Sequence, residues 1–195
     1  MSLPSYSRPD PANIPALILI DVQRAFDMPG YYGGERNNPE AEANCSLLLD
    51  HWRAHDWPVI HIRHASVIPG SPLAPDHPGH AFKDEVIPRN GEPVLTKNVN
   101  SAFIGTGLQD LLDKKGIRTV VLAGLTTEHC VSTTTRMAAN LGYRTLLVSD
   151  ATAAFSKRGL SGETIPAAIV WQVSLATLNE EFAEVLPTVE VIGRA

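Results

Sequence analysis

The chain of 195 residues carries only two cysteines, Cys45 and Cys130. That is too few for a disulfide framework and fits a reducing compartment. No apolar stretch reaches the length of a membrane span; the longest candidate, "ALILI" at 16–20, has the length of a strand. Charge of one sign never accumulates. Charged residues make up 19% of the chain and the formal net charge is −5, which disfavours nucleic acid and anionic membranes as partners. The N-terminus "MSLPSYSRPDPANIP" lacks the charged-then-apolar layout of a signal peptide, so an irregular arm over 1–14 and a cytoplasmic location are expected. Internal repeats and low-complexity segments are also missing.

What is present is a core. Hydrophobic residues make up 44% of the chain, enough for one compact domain over 1–195. Short apolar runs alternate with helical patterns, the pattern of a three-layer α/β/α fold with a six-stranded, mostly parallel, Rossmann-like sheet of order 3-2-1-4-5-6. Strands are expected at 16–22, 57–63, 93–97, 118–124, 143–149 and 188–193. Helices are expected after Asn38 and Pro39, carrying Ala41, Cys45, Leu48 and Trp52 on one stripe, then near 107–115, from Thr127 to Gly142, and from Ser161 to Phe182. On this periodicity Cys45 is a core residue. The stretch from His64 to Glu92 is rich in Pro, Gly and His, and a loop of that length is usually functional or mobile.

In open α/β sheets, ligands bind beyond the carboxyl ends of the strands, where the strand order reverses. Asp21, Lys97 and Cys130 fall at three such ends. In the expected order, the first and fourth strands are neighbours, so Asp21 and Cys130 face each other over about 4.8 Å, and Lys97 must reach across roughly 10 Å. A lysine has that reach. The first turn of a helix and a nearby ammonium both favour an anion, so a lowered thiol pKa is expected at Cys130. The thiol would attack a carbonyl, backbone N–H groups would bind the oxyanion, and Asp21 would carry the proton. A dinucleotide oxidoreductase of the same layout needs a glycine-rich turn after the first strand, where this chain reads "DVQRAFDMPG".

The blocks "LILIDVQRAF", "LTKNVNSAFIGTGLQDLL" and "GLTTEHCVSTTTRMAANLGY", in this order, resemble the isochorismatase-like cysteine hydrolases, which include nicotinamidases, N-carbamoylsarcosine amidases and ureidoacrylate amidohydrolases. The resemblance runs from about residue 15 to 155. It implies an Asp–Lys–Cys triad of Asp21, Lys97 and Cys130 and a thioester-type intermediate. It also implies a cis peptide at Leu125–Thr126, with the N–H groups of Thr126 and Cys130 around the oxyanion. Nicotinamidases carry an Asp-x-His metal pair after the second strand. Here that place reads "HIRHAS", with no carboxylate. Imidazoles of His64, His77 or His80 could hold a metal, but neither a metal nor another cofactor is expected. The substrate is expected to be a small amide, ureide or lactam. A metal-dependent nicotinamidase and a non-catalytic relative are the alternatives.

Candidate substrate contacts are Phe26, His64, Asn100, Phe103 and Thr127. Arg63 and His64 could hold a polar group of the substrate, or pair with Asp84 or Glu85. Glu128 complements the helix dipole. The resemblance implies a homodimer or homotetramer, with the N-terminal arm and the helix bearing Trp171 as candidate contacts.

Overall fold

The computed structural model describes residues 14–194; the expected arm lies, up to residue 13, outside them. Six strands form one parallel sheet: β1 (Ala16–Ile20), β2 (Val59–His64), β3 (Val94–Lys97), β4 (Thr119–Leu125), β5 (Arg144–Ala153) and β8 (Glu184–Leu186). Their spatial order is β3-β2-β1-β4-β5-β8, so β1 and β4 are neighbours at the reversal of strand order, as the sequence predicts. A two-stranded ribbon, β6 (Lys157–Arg158) with β7 (Thr164–Ile165), stands apart from the sheet.

Because successive residues of a strand point to opposite faces, β1 feeds two cores. Ile18 and Ile20 join Ile60, Ile62 and Leu122 on one face, under α3 (Leu108–Lys114) and α4 (Ser132–Asn140). Leu17 and Leu19 join Val121 and Val148 on the other, under α2 (Ala41–Ala54) and α6 (Thr188–Arg194). The full burial of β1 and β4 is what a parallel sheet covered on both faces requires. Cys45 packs in the second core, with its Sγ 3.4 Å from the carbonyl of Ala151. Burial pushes its thiol pKa well up. It is the ordinary buried cysteine that its helical stripe predicts.

Three boundaries differ from the sequence reading. The alternating "TVEVIG" is not a strand but helix α6, and the sixth strand is the three-residue "EVL" just before it. The N–H and hydroxyl of Thr188 both donate to Asp150 Oδ1, at 2.7 Å each, and satisfy the helix start. That cap is tertiary and leaves no trace in the local pattern. The expected helix from Ser161 begins only at Ala167, as α5 (Ala167–Ala176). Pro166 disfavours helical backbone at Ile165, which pairs in the ribbon instead. Asn38 does not cap α2. It adopts φ +48° and donates its amide to the carbonyls of Asp150 and Thr152.

Around the site, the loop from His64 to Glu92 is tied down rather than loose. It contains two 3₁₀ turns, Pro78–His80 and Asp84–Val86. The buried side chain of Gln23 holds it: Nε2 donates to the carbonyls of His64 (3.1 Å) and His80 (2.9 Å), and Oε1 accepts from the N–H of His64 (2.8 Å). One amide thus fixes the backbone at both ends of residues 64–80.

Candidate active site

Asp21 follows β1 directly, Lys97 ends β3, and Cys130 lies in a π-helical turn, Thr127–Val131, between β4 and α4. All three converge at the carboxyl edge of the sheet. Lys97 Nζ donates to Asp21 Oδ2 at 2.5 Å and to Cys130 Sγ at 3.3 Å. It also lies 3.1 Å from His64 Nδ1. An ammonium has no acceptor, so that ring nitrogen accepts and the imidazole proton sits on Nε2. Lysine and aspartate are almost wholly buried, so their attraction acts in a poorly screened setting. Asp21 Oδ1 is buried and has no hydrogen-bond partner among the described residues.

The backbone builds this contact. Asp21 takes φ +52°, a left-handed conformation that aspartate tolerates better than most residues. Its N–H donates to the carbonyl of Ile62, which ties the turn to β2. In the next strand, Gly124 lies opposite Ile20 in register. A Cβ there would meet the Ile20 carbonyl oxygen at 2.0 Å. Gly124 also has φ +127°, so the absence of a side chain lets β1 and β4 close up immediately before Asp21. The peptide bond between Leu125 and Thr126 is cis.

Electrostatics correct one expectation. The Cys130 thiol pKa is raised, first by burial and then by the adjacent Asp21 carboxylate, with Lys97 opposing. Burial and the carboxylate outweigh the helix start and the ammonium from which a lowered pKa is expected. The resting sulfur is a neutral thiol. The His64 imidazole is held below its usual pKa by burial and then by Lys97, so it too rests neutral.

The cavity above Cys130 has a volume of about 490 Å³. Phe26, His64 and Asn100 line it, as expected. Phe103 and Thr127 do not, and both expectations are corrected. Phe103 turns away to stack on Tyr143 with ring centroids 5.8 Å apart. Thr127 is fully buried and does not line the cavity; its hydroxyl has no hydrogen-bond partner among the described residues. Nor does Arg63 reach Asp84 or Glu85: its guanidinium lies 5.8 Å from the centre of the Phe82 ring, while Asp84 pairs with Arg24. Glu128 pairs with Lys157 at 2.7 Å. The sequence reading missed Tyr32, Phe155 and Lys157, which line the same cavity, and Gln23 behind it. Two tyrosines before a Gly–Gly pair, and a glutamine two residues after Asp21, are the signals that were available.

Asp21, His64 and Cys130 bring ligand atoms within 4.8 Å of one another, a donor set that could suit a transition metal. Lys97 does not fit that use. Its ammonium touches all three side chains, and a cation among them would have to displace it against its own charge. His77 Nδ1 is engaged by the N–H of Gly79.

The isochorismatase domain model matches residues 15–188. The isochorismatase family protein YrdC of Bacillus subtilis is 51% identical over 178 residues, covering 91% of this chain and 94% of that protein. The maleamate amidohydrolase of Pseudomonas putida is 33% identical over 156 residues, 70% of each chain. A crystal structure of an isochorismatase-family protein from Chromobacterium violaceum superposes with a TM-score of 0.91 at 44% identity, covering 98% of both chains. The chain therefore belongs to the isochorismatase family of hydrolases.

Proposed function

We propose that the protein is a cysteine amidohydrolase that cleaves the C–N bond of a small amide, ureide or lactam. The observation that carries this reading is the Lys97 ammonium in contact with both the Asp21 carboxylate and the Cys130 sulfur beneath a cavity large enough for a small molecule. The similarity to a maleamate amidohydrolase supports the choice of an amide over other hydrolysable groups.

The chemistry follows from the resting charges. Asp21 accepts the thiol proton as Cys130 Sγ adds to the amide carbonyl, so a buried thiolate never has to stand alone. Its unpartnered Oδ1 is the oxygen available for that proton. Lys97 stabilises the carboxylate before transfer and the sulfur during it. The carbonyl oxygen gains negative charge and is received by the backbone N–H groups of Thr126 and Cys130. Asp21 then gives the proton to the departing nitrogen, the C–N bond breaks, and an acyl thioester on Cys130 remains. Water attacks that thioester with Asp21 again as base, the carboxylic acid leaves, and the thiol is restored. No cofactor enters any step.

Ammonia release from small primary amides tests this reading. The wild-type protein is expected to release ammonia from at least one amide, and Cys130→Ala to fall by about a thousandfold or more, since the covalent route is lost entirely. Undiminished release by Cys130→Ala contradicts the proposal.

A further inference from the structure

Phe26, Tyr32 and Phe155 form one aromatic wall of the cavity. Their ring centroids are 4.8 Å apart for Phe26 and Tyr32, and 5.2 Å apart for Tyr32 and Phe155. Leu73 extends the wall and exposed Ile68 forms its rim. Such a surface favours a flat apolar group lying against it. Only one lysine or arginine lines the cavity among the described residues, Lys157, and it is already paired with the Glu128 carboxylate. To find a cation, a substrate carboxylate would have to break that pair and meet the buried negative charge of Glu128, or compete with Asp21 for the buried Lys97.

Tyr32 adds the polar feature. Its hydroxyl is buried and has no hydrogen-bond partner among the described residues, a costly state for a protein group unless a ligand satisfies it. Burial raises its pKa first, and the Asp21 carboxylate raises it further. The phenol is therefore protonated, and it lines the same cavity as Cys130. Tyr32 is also held firmly. It belongs to the short helix α1 (Pro29–Tyr32), and the segment around α1 is anchored on both sides. Before it, Asp27 pairs with buried Lys83 at 2.5 Å; after it, Arg36 pairs with Glu42 at 2.5 Å, and Lys83 joins Glu42 at 2.6 Å. At Gly33 the chain packs so tightly on Ser156 that a Cβ would lie 2.3 Å from its carbonyl oxygen.

We infer that Tyr32 is a substrate-positioning residue that selects uncharged amides with a planar acyl group, its ring against the acyl plane and its hydroxyl hydrogen-bonded to the amide. This rests on the amidohydrolase reading. It deepens that reading by naming which amides the pocket takes.

Two probes separate the possibilities: benzamide, uncharged and planar, and succinamate, carboxylated and flexible. In wild type, kcat/KM for benzamide is expected to exceed that for succinamate by about tenfold or more. Tyr32→Phe is expected to raise KM for benzamide about five- to tenfold with kcat little changed, the loss of one hydrogen bond. Tyr32→Leu is expected to abolish the preference for the planar probe as well. Calorimetric binding of the same probes to Cys130→Ala, with and without Tyr32→Phe, gives a readout that needs no turnover. If wild type hydrolyses neither probe, the proposed function fails for these amides, while the binding data still judge Tyr32. Benzamide binding weakened by Tyr32→Phe supports the inference. Binding unchanged by Tyr32→Phe, no benzamide binding at all, or a preference for succinamate overturns it.

Discussion

Asp21→Asn is expected to lower kcat/KM for amides by about a thousandfold, within the range that a general acid–base residue contributes, while making Cys130 more reactive towards iodoacetamide. The two effects have opposite signs because they report different properties of the same carboxylate. Turnover needs a group that takes the thiol proton and returns it to nitrogen, and an asparagine amide does neither. Alkylation needs only thiolate. The Cys130 thiol is held protonated first by burial and second by the Asp21 charge, against the pull of Lys97. Removing the carboxylate leaves burial in place but frees Lys97, 3.3 Å away, to stabilise the thiolate. The thiolate fraction at neutral pH rises, and the alkylation rate rises with it. Peptide mapping after iodoacetamide treatment over a pH series reads this directly, with buried Cys45 as the internal control. If Asp21→Asn left alkylation unchanged or slower, the carboxylate would not be what restrains the thiol.

Lys97→Met carries the second large effect, and it is on stability. Lys97 and Asp21 are both almost fully excluded from water, with side-chain exposures of 0% and 1%. Deleting the ammonium strands a carboxylate in a site whose other neighbours are a thiol and a neutral imidazole. Breaking a buried pair in this way costs about 3–5 kcal/mol, expected as a lower urea midpoint at an unchanged slope. The double variant Lys97→Met with Asp21→Asn removes both charges and is expected to recover much of the loss. Recovery in the double variant identifies the stranded charge, rather than lost packing, as the cause. A Lys97→Met protein as stable as wild type would show that the pair is not coupled as its 2.5 Å contact implies.

The meeting of Asp21, Lys97 and Cys130 was legible in the sequence because strand ends are. Apolar runs locate β1, β3 and β4, and the order of a doubly wound sheet brings their carboxyl ends together, so Asp21, Lys97 and Cys130 meet without any side chain having been seen. What the sequence concealed depends on contacts made far along the chain. Gln23 acts on His64, 41 residues away, and its role exists only once the loop has closed over it. Phe103 was misread because "NSAF" follows Lys97 closely, yet the chain turns between them and sends the ring to Tyr143. Thr127 sits three residues before Cys130, but the π-helical turn buries it completely. The thiol pKa was misjudged for a related reason: a helix start is visible in a sequence, whereas desolvation is not. At the C-terminal end, alternation of β-branched residues imitated a strand, and the Asp150 cap that makes α6 a helix lies 38 residues upstream.

A covalent bond to Cys130 is what mass spectrometry would detect in protein quenched in acid during turnover of a slow amide. The expected species is heavier by the acyl group less one hydrogen, mapped to the peptide containing Cys130 and missing in Cys130→Ala. An acyl group mapped to any other residue, or unimpaired turnover in Cys130→Ala, would contradict it.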